Sequence, residues 1–428
     1  MTDAGGLGTS GPLLPHRGGR RPGPGAARQQ SLRHHNLSLA LRHVMEAPEP
    51  VSRADIAGVT GLTRATVSAL VDQLIAVGLV TELEPVAAQR AGRPAVPLVP
   101  SRGTVAAVGM EVNVDYLGVR AVDLAGMVLT ESVELGDFRG SEPVAVLDRL
   151  ARLAGAEVAR LSASGVAVVG LALALPGLVD SDTGPLRLAP NLGWRDVDVV
   201  GVLSTHPVLA GLPPRLANEA NLAALAEAHA RRLIGPSSFV YVSGEVGVGG
   251  AIVLDGQIFP GRHGWSGEIG HTVLGTAGAF DEGGTLESYA GQDAILVRAG
   301  LPRTAPLSDL LAAAHHGDVG ALAALAVAGD ALGAALANVV NVVDVEHVVL
   351  GGIYADLADH VRAGVTEQLR RRVLSAPWSS VELSVATAGQ YPAMTGGALS
   401  ILEGLVDDPA GWAGDDAAGA SASAVSHS

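Results

Sequence analysis

The chain has 428 residues, 48% of them hydrophobic but only 3% aromatic, and a formal net charge of −15. That length and apolar content allow two or three domains whose cores are built from Ala, Val and Leu. The absence of cysteine excludes a disulfide scaffold, a thiolate zinc site and a cysteine nucleophile, and with no lysine every one of the 28 basic residues is Arg.

The charge is unevenly spread. Residues 1–102 hold 11 Arg against 7 acidic residues, a net +4, whereas the remainder holds 17 Arg against 36, a net −19. A basic head on an acidic body implies that only the head meets phosphate. The start of the sequence lacks the apolar core of a signal peptide. The longest apolar run, Val166 to Val179, is broken by Gly170, Pro176 and Gly177 and is shorter than the roughly 20 residues of a membrane span. A soluble, cytoplasmic protein is expected.

Residues 1–30 are rich in Gly, Pro and Arg without periodicity. They read as a disordered basic tail with weak phosphate attraction through Arg17, Arg20, Arg21 and Arg28. Residues 31–102 read as a compact helical unit with a wing. Ser52 followed by Asp55 marks a helix start, Gly61 breaks the chain, and Thr63 caps the next helix. In that helix Val67, Leu70, Val71, Leu74 and Ile75 share one apolar face. The opposite face carries Ala65, Ser68, Ala69 and Asp72, with Arg64 and Thr66 at the same end. Small side chains there let a helix approach base edges in a major groove, where methyl groups meet thymine methyls. Gly78 ends the helix. Leu79–Leu83 and Ala95–Leu98 read as two strands of a wing whose tip, with Arg90 and Arg93, can reach backbone phosphate or a minor groove. Helix, turn, helix and basic wing in this order point to DNA binding; a helical bundle that binds protein is the plainer alternative.

Residues 103–405 read as α/β, and residues 406–428, rich in Asp, Gly, Ala and Ser, as a disordered tail. The α/β part contains a repeat. Val105–Met110 leads into Leu117–Leu124, a turn at Ala125-Gly126, and Val128. Phe239–Ser243 leads into Ala251–Leu254, a turn at Asp255-Gly256, and Ile258. Asp-Gly is a strong hairpin signal. Two hairpin-led units imply two similar lobes with a cleft between them.

From Ser31 to Leu405 the chain resembles the ROK family of sugar kinases and winged-helix sugar repressors. The matching stretches are Ser52–Val80, Gly92-Arg93-Pro94, Gly170–Val179, Ala189–Trp194, Asn218–Glu227, Val242–Glu268 through His271, and Val348–Gly352. The resemblance implies a winged helix-turn-helix followed by a two-lobed actin-like or ribonuclease H-like domain. ATP would lie between glycine hairpins and sugar deeper in the cleft. Against the family's kinases, three positions depart. The first phosphate turn, an Asp, two Gly and a Thr in the kinases, reads Glu111-Val112-Asn113-Val114-Asp115, with side chains in phosphate space. The second reads Ser243-Gly244-Glu245-Val246-Gly247, with Val246 where a Thr hydroxyl is usual. The Asn-Asp pair that supplies the base reads Asn218-Glu219, and a carboxylate displaced by about 1 Å can lower a rate on the order of a hundredfold. No kinase activity and no nucleotide cofactor are expected, although Glu219 can still accept a hydrogen bond from a sugar hydroxyl.

The sugar side matches. Glu268 and His271 stand where the family binds sugar hydroxyls, and Glu287 matches a further sugar-binding Glu; with Asn218 and Glu219 they offer the donors and acceptors a polyol requires. Gly275 to Thr285 contains none of the cysteines that bind zinc with this His in other members, and one His cannot make a tetrahedral structural site, so no metal is expected. The expected function is a repressor of sugar metabolism or transport genes, working on operator DNA as a homodimer or homotetramer and controlled by a sugar or phosphosugar. The alternatives are an active sugar kinase with a DNA-binding head, and a regulator controlled by a protein partner.

Overall fold

A computed structural model describes residues 24–84, 96–180, 185–274 and 284–412, the first seven by backbone alone. The head opens with α1, Pro24–Glu46, followed by α2, Arg53–Thr60, and α3, Arg64–Ala76. Strands β1, Val80–Glu82, and β2, Leu98–Pro100, pair antiparallel as the wing. The expected boundary at residue 31 is corrected: α1 starts seven residues earlier. Proline at a first helical position has its φ already set, and Ala26, Ala27, Arg28, Gln29 and Gln30 are good helix formers. The local signals in α2 and α3 are met. Ser52 and Asp55 form a reciprocal capping box, Gly61 takes φ +70°, and Thr63 accepts from the backbone N–H of Thr66 at 3.2 Å.

The first lobe is a five-stranded sheet. Strands β3, Val105–Val112, β4, Tyr116–Asp123, and β5, Val128–Leu135, form a meander, and α4, Pro143–Ala163, crosses to β6, Ala167–Leu175, parallel to β3. A small sheet of β7, Leu178–Val179, β8, Leu186–Ala189, and β9, Trp194–Val197, and a short helix α5, Val199–Leu203, precede β10, Arg215–Asn218, which joins the edge beside β6. Helix α6, Glu219–Arg231, follows directly.

The second lobe repeats the plan. Strands β11, Phe239–Gly244, β12, Val248–Leu254, and β13, Gln257–Ile258, form a meander. Helices α7, Leu286–Ala290, α8, Gln292–Arg298, α9, Leu307–His315, and α10, Val319–Val343, precede β14, His347–Gly352. Then come α11, Ile353–Asp356, α12, Ala358–Arg372, and β15, Glu382–Val385. The strand orders β10-β6-β3-β4-β5 and β13-β12-β11-β14-β15 are the same arrangement, so the hairpin repeat reflects a repeated topology. Among the described helices α10 alone is long and apolar enough to cross a bilayer by length and composition; 61% of its most apolar window is buried within the fold.

The last helix, α13, Pro392–Asp407, returns to the first lobe. Because side chains alternate along a strand, Ala106, Val108, Met110 and Val112 of β3 pack toward α4, whereas Val105 and Ala107 face α13. Gly109 and Gly396 let backbones touch here. A Cβ on Gly109 would stand 1.8 Å from the Met394 carbonyl oxygen, and one on Gly396 1.8 Å from that of Leu222 in α6. The far end of α13 enters the head. Ile401, Leu402, Leu405 and Val406 share one buried cluster with Leu37, Leu41, Ile56, Val67 and Leu74. Ser38 Oγ donates to the Val406 carbonyl at 2.8 Å, and Arg42 pairs with Asp407. The expected domain end at 405 is therefore also corrected: a further helical turn reaches 412, with Ala410 and Trp412 packed against the same cluster.

Candidate functional site

On the head, α3 buries Val67, Leu70, Val71 and Leu74 and leaves Arg64, Ala65, Ala69 and Asp72 exposed, with Ser68 and Thr66 partly so. Thr63 and Thr66 share a hydroxyl–hydroxyl hydrogen bond of 2.8 Å, so both hydroxyls are engaged in the cap. Arg53 ties the unit together by pairing with Asp72 at 2.7 Å and with Glu82. The structure thus puts Arg64, Ala65 and Ser68 on one open helix face. Arg90 and Arg93 lie outside the described residues.

Between the lobes lies a cavity of about 530 Å³. Asn218, Glu219, Glu268, His271 and Glu287, drawn from β10, α6, the 3₁₀ turn Ile269–His271 and α7, all line it. Asn218 is chiefly the cap of α6: its Oδ1 accepts from the N–H groups of Ala220 and Asn221 at 2.9 and 3.2 Å, and its Nδ2 donates to the Gly177 carbonyl at 3.0 Å. One amide hydrogen remains for a ligand. His271 Nε2 stands 4.0 Å from Glu268 Oε2 with 58% of its side chain exposed, a spacing and exposure at which an ion pair contributes little. Burial pushes the Glu268 carboxyl above its usual range; His271 opposes this and Glu287 adds to it. Glu287 Oε2 accepts from the Val248 N–H at 3.1 Å. Gly247 is required beside it, since a Cβ there would lie 2.6 Å from that oxygen and 2.7 Å from Asn191 Nδ2.

The two turns that match the kinases' phosphate turns meet each other. Asn113 Nδ2 donates to Glu245 Oε2 across the lobes, and Val246 packs against the first lobe's core. Arg139 spans the same seam, 3.3 Å from Asp115 and 3.9 Å from Asp293. Glu111, Glu219 and Glu245 all line the cavity. Burial, then Glu245, pushes the Glu111 carboxyl up to about 8. Glu219 is raised by burial, then by Glu245, Glu111 and Glu268. Glu245 is raised by burial against the hydrogen bond from Asn113.

The cavity also takes in residues that the sequence reading passed over: Tyr116, Tyr241, Glu245, and the loop Gln390–Ala393 that starts α13. Tyr391 sits at φ 53°, ψ 53°, a left-handed conformation that strains a bulky side chain and is common at functional junctions. Arg120, only 8% exposed, holds this loop through the Gln390 carbonyl at 2.7 Å and Thr395 Oγ1 at 2.6 Å. Its guanidinium stands 5.5 Å over the Tyr391 ring, which meets Tyr116 edge-on at 5.1 Å. The Tyr391-Pro392 pair is the local signal that sequence offered for this wall. Among the described residues no group of three or more His, Asp or Glu side chains has metal-holding geometry.

Comparison with known proteins agrees with this architecture. The ROK family pattern matches residues 145–403, and a MarR family pattern matches residues 38–91. The xylose repressor of Bacillus subtilis (strain 168) is 27% identical over 377 residues, covering 87% of this chain and 96% of that protein. The crystal structure of a ROK family transcriptional regulator, a homolog of the E. coli MLC protein, superposes with a TM-score of 0.72 at 26% identity, covering 88% of this chain and 97% of that one. The ROK hexokinase of Thermus thermophilus superposes with a TM-score of 0.54 at 27% identity, covering 69% of this chain and 97% of that one. The chain therefore belongs to the ROK family, with a MarR-type winged helix set ahead of its sugar-kinase-like lobes.

Proposed function

We propose that this protein is a DNA-binding transcriptional repressor of sugar metabolism or transport genes, controlled by a sugar or sugar derivative held between its lobes. The observation that carries this reading is α13. Tyr391, Pro392 and Ala393 at its start line the cavity, and Leu402, Leu405 and Val406 at its end belong to the core of the head. Its 16 residues make a rigid rod of about 24 Å at 1.5 Å per residue. A ligand that prefers one setting of the cavity wall thereby prefers one setting of the head, which is what differential affinity requires.

Kinase chemistry is not part of this reading. Phosphoryl transfer requires an open path for polyphosphate, and here Asn113 and Glu245 bridge the two turns while Val246 packs against the core of the first lobe. Glu219 stands at the base position, where it can accept a hydrogen bond from the ligand. On DNA, Arg64, Ala65 and Ser68 would read base edges, Thr63 and Thr66 would order the helix start, and the wing arginines Arg90 and Arg93 would meet backbone. Two heads in a homodimer or homotetramer would read two half-sites of a palindromic operator.

The test is operator binding by fluorescence anisotropy with and without a sugar found by thermal-shift screening. The sugar should change operator affinity by about 5–150-fold, and operator should change sugar affinity by the same factor. Glu268→Ala should lose the response while its sugar-free operator binding reports an intact head. A Glu268→Ala protein that responds like the parent would remove the cavity from the mechanism.

A further inference from the structure

The cavity wall is one-sided in charge. Glu111, Glu219, Glu245, Glu268, Glu287 and Asp356 line it; among the described residues His271 is the one on it that can become a cation, and no arginine lines it. Carboxylates withdrawn from water and set close together are unfavourable unless each is protonated or matched by positive charge. Three of them, Glu111, Glu219 and Glu245, line the same cavity, and the single Nδ2 of Asn113 reaches both Glu111 Oε1, at 3.4 Å, and Glu245 Oε2. Arg120, whose charge acts on Glu111, is already engaged by Glu131 at 2.9 Å, by the Gln390 carbonyl and by Thr395.

A second observation points to what belongs there. Glu111 is 1% exposed; Asn113 lies 3.4 Å from its Oε1 and the Tyr116 hydroxyl also acts on the carboxyl, while the buried Oε2 makes no hydrogen bond of ordinary geometry. An orphaned carboxylate oxygen on the wall of a cavity calls for a donor from the ligand. The three carboxylates do not form a group that could hold a metal ion. They therefore suit a larger cation that presents several N–H donors.

We propose, on top of the sugar-sensing role assigned above, that the effector is a sugar carrying a free amine, whose ammonium group sits among Glu111, Glu219 and Glu245. Its hydroxyls meet Glu268, His271 and Glu287. The ammonium supplies the missing donor to Glu111 Oε2 and neutralises a cluster that otherwise holds protons. The same wall rejects anions, so a phosphosugar, expected from sequence as readily as a plain sugar, is disfavoured at this site. Glu219 and Glu268 line the same cavity, so the carboxylate cluster and the hydroxyl-binding side are within reach of a single small ligand.

The experiment is isothermal titration of the full chain at pH 7.5 with matched sugars. Each set contains the hydroxyl sugar, its free amine, its N-acetyl form and its phosphate ester: glucose with glucosamine, 6-amino-6-deoxyglucose, N-acetylglucosamine and glucose 6-phosphate, then the galactose and mannose counterparts. At least one free amine should bind ten-fold or more tightly than its hydroxyl and N-acetyl partners, with protons released on binding in buffers of different ionisation enthalpy. Glu245→Gln and Glu111→Gln, both near-isosteric, should each cut that advantage to less than about three-fold. Hydroxyl sugars or phosphate esters that bind as well as every amine overturn the assignment, and so does an amine preference that survives both variants. Binding of Mn²⁺ or Mg²⁺ alone at the cluster, lost in both variants, overturns it in favour of a metal ion. If no sugar of any kind binds, the sugar-sensing role falls with it; if neutral sugars bind and amines gain nothing, only the ammonium does.

Discussion

Gly396→Ala should destabilise the protein and loosen the link between cavity and head. The new Cβ would lie 1.8 Å from the Leu222 carbonyl oxygen, 2.6 Å from its carbon and 3.2 Å from its Cα, all backbone atoms of α6. None of them can rotate away, so α13 and α6 must part by about 1.5 Å to restore contact at ordinary separation. Overpacking of this kind costs about 1–3 kcal/mol, and a backbone-to-backbone clash belongs at the upper end. Alanine gains about 1 kcal/mol over glycine in a helix interior, leaving a net loss of about 1–2 kcal/mol. Gly58→Ala is the control. It lies in α2, with nothing within 4 Å of its would-be Cβ, so it should gain up to about 1 kcal/mol. Urea midpoints at constant m-value would read both, and anisotropy would read the ligand response of Gly396→Ala, which should shrink because α13 no longer seats firmly against the cavity wall. If Gly396→Ala melts with or above the parent while Gly58→Ala behaves as expected, the close seating of α13 on α6 is wrong.

Arg64→Ala should weaken specific operator binding by about 1–3 kcal/mol, with relaxed preference at one base position; an unchanged footprint would mean that the exposed end of α3 does not read bases. Titration with Mg-ATP, with or without sugar, should be flat, and a clear isotherm or sugar-dependent ADP release would show that the Asn113–Glu245 clasp opens to phosphate. Stability should depend on pH through Glu111. Its carboxyl is raised to about 8 from a usual 4.5, so the folded chain holds a proton that the unfolded chain has lost between those values. That contribution is full below pH 4.5 and disappears as pH rises through 8. Glu111→Gln should therefore flatten the fall in urea midpoint from pH 5 to pH 8.5; Glu219 and Glu245, shifted the same way, keep it from vanishing, and an unchanged slope would mean that Glu111 is ionised in the folded protein.

The features legible in sequence were those encoded by neighbouring residues. Ser52, Asp55, Gly61 and Thr63 act within a few positions of themselves, and the Asp255-Gly256 turn announces its own hairpin. The cavity residues were legible because each sits in a short stretch of recognisable order, such as Gly267-Glu268-Ile269-Gly270-His271. What stayed hidden depends on residues far apart in the chain. Asn113 and Glu245 are 132 positions apart, and nothing local to either says that the two turns clasp. Glu245 was read as part of a glycine turn, when its side chain faces the cavity. Asn218 was read as a ligand contact, and its further role as the α6 cap becomes visible only once β10 and α6 meet without a loop. The early start of α1 was masked by the Gly- and Pro-rich sequence before it, although Pro24 itself favours a helix start.

The joint between α1 and α13 ties positions 368 apart in the chain, and this bears on how the protein is made. On the ribosome the winged helix emerges before the lobes, but Leu37, Leu41 and their neighbours share a core with Ile401, Leu402, Leu405 and Val406. Until that stretch has been translated, one flank of the head has no cover and presents apolar surface to water, where it is open to proteases and chaperones. Synthesis thus runs through both lobes of the sensor before the unit that meets DNA is sealed, so a polypeptide that stops short carries a head with an open side rather than a repressor that cannot be switched off.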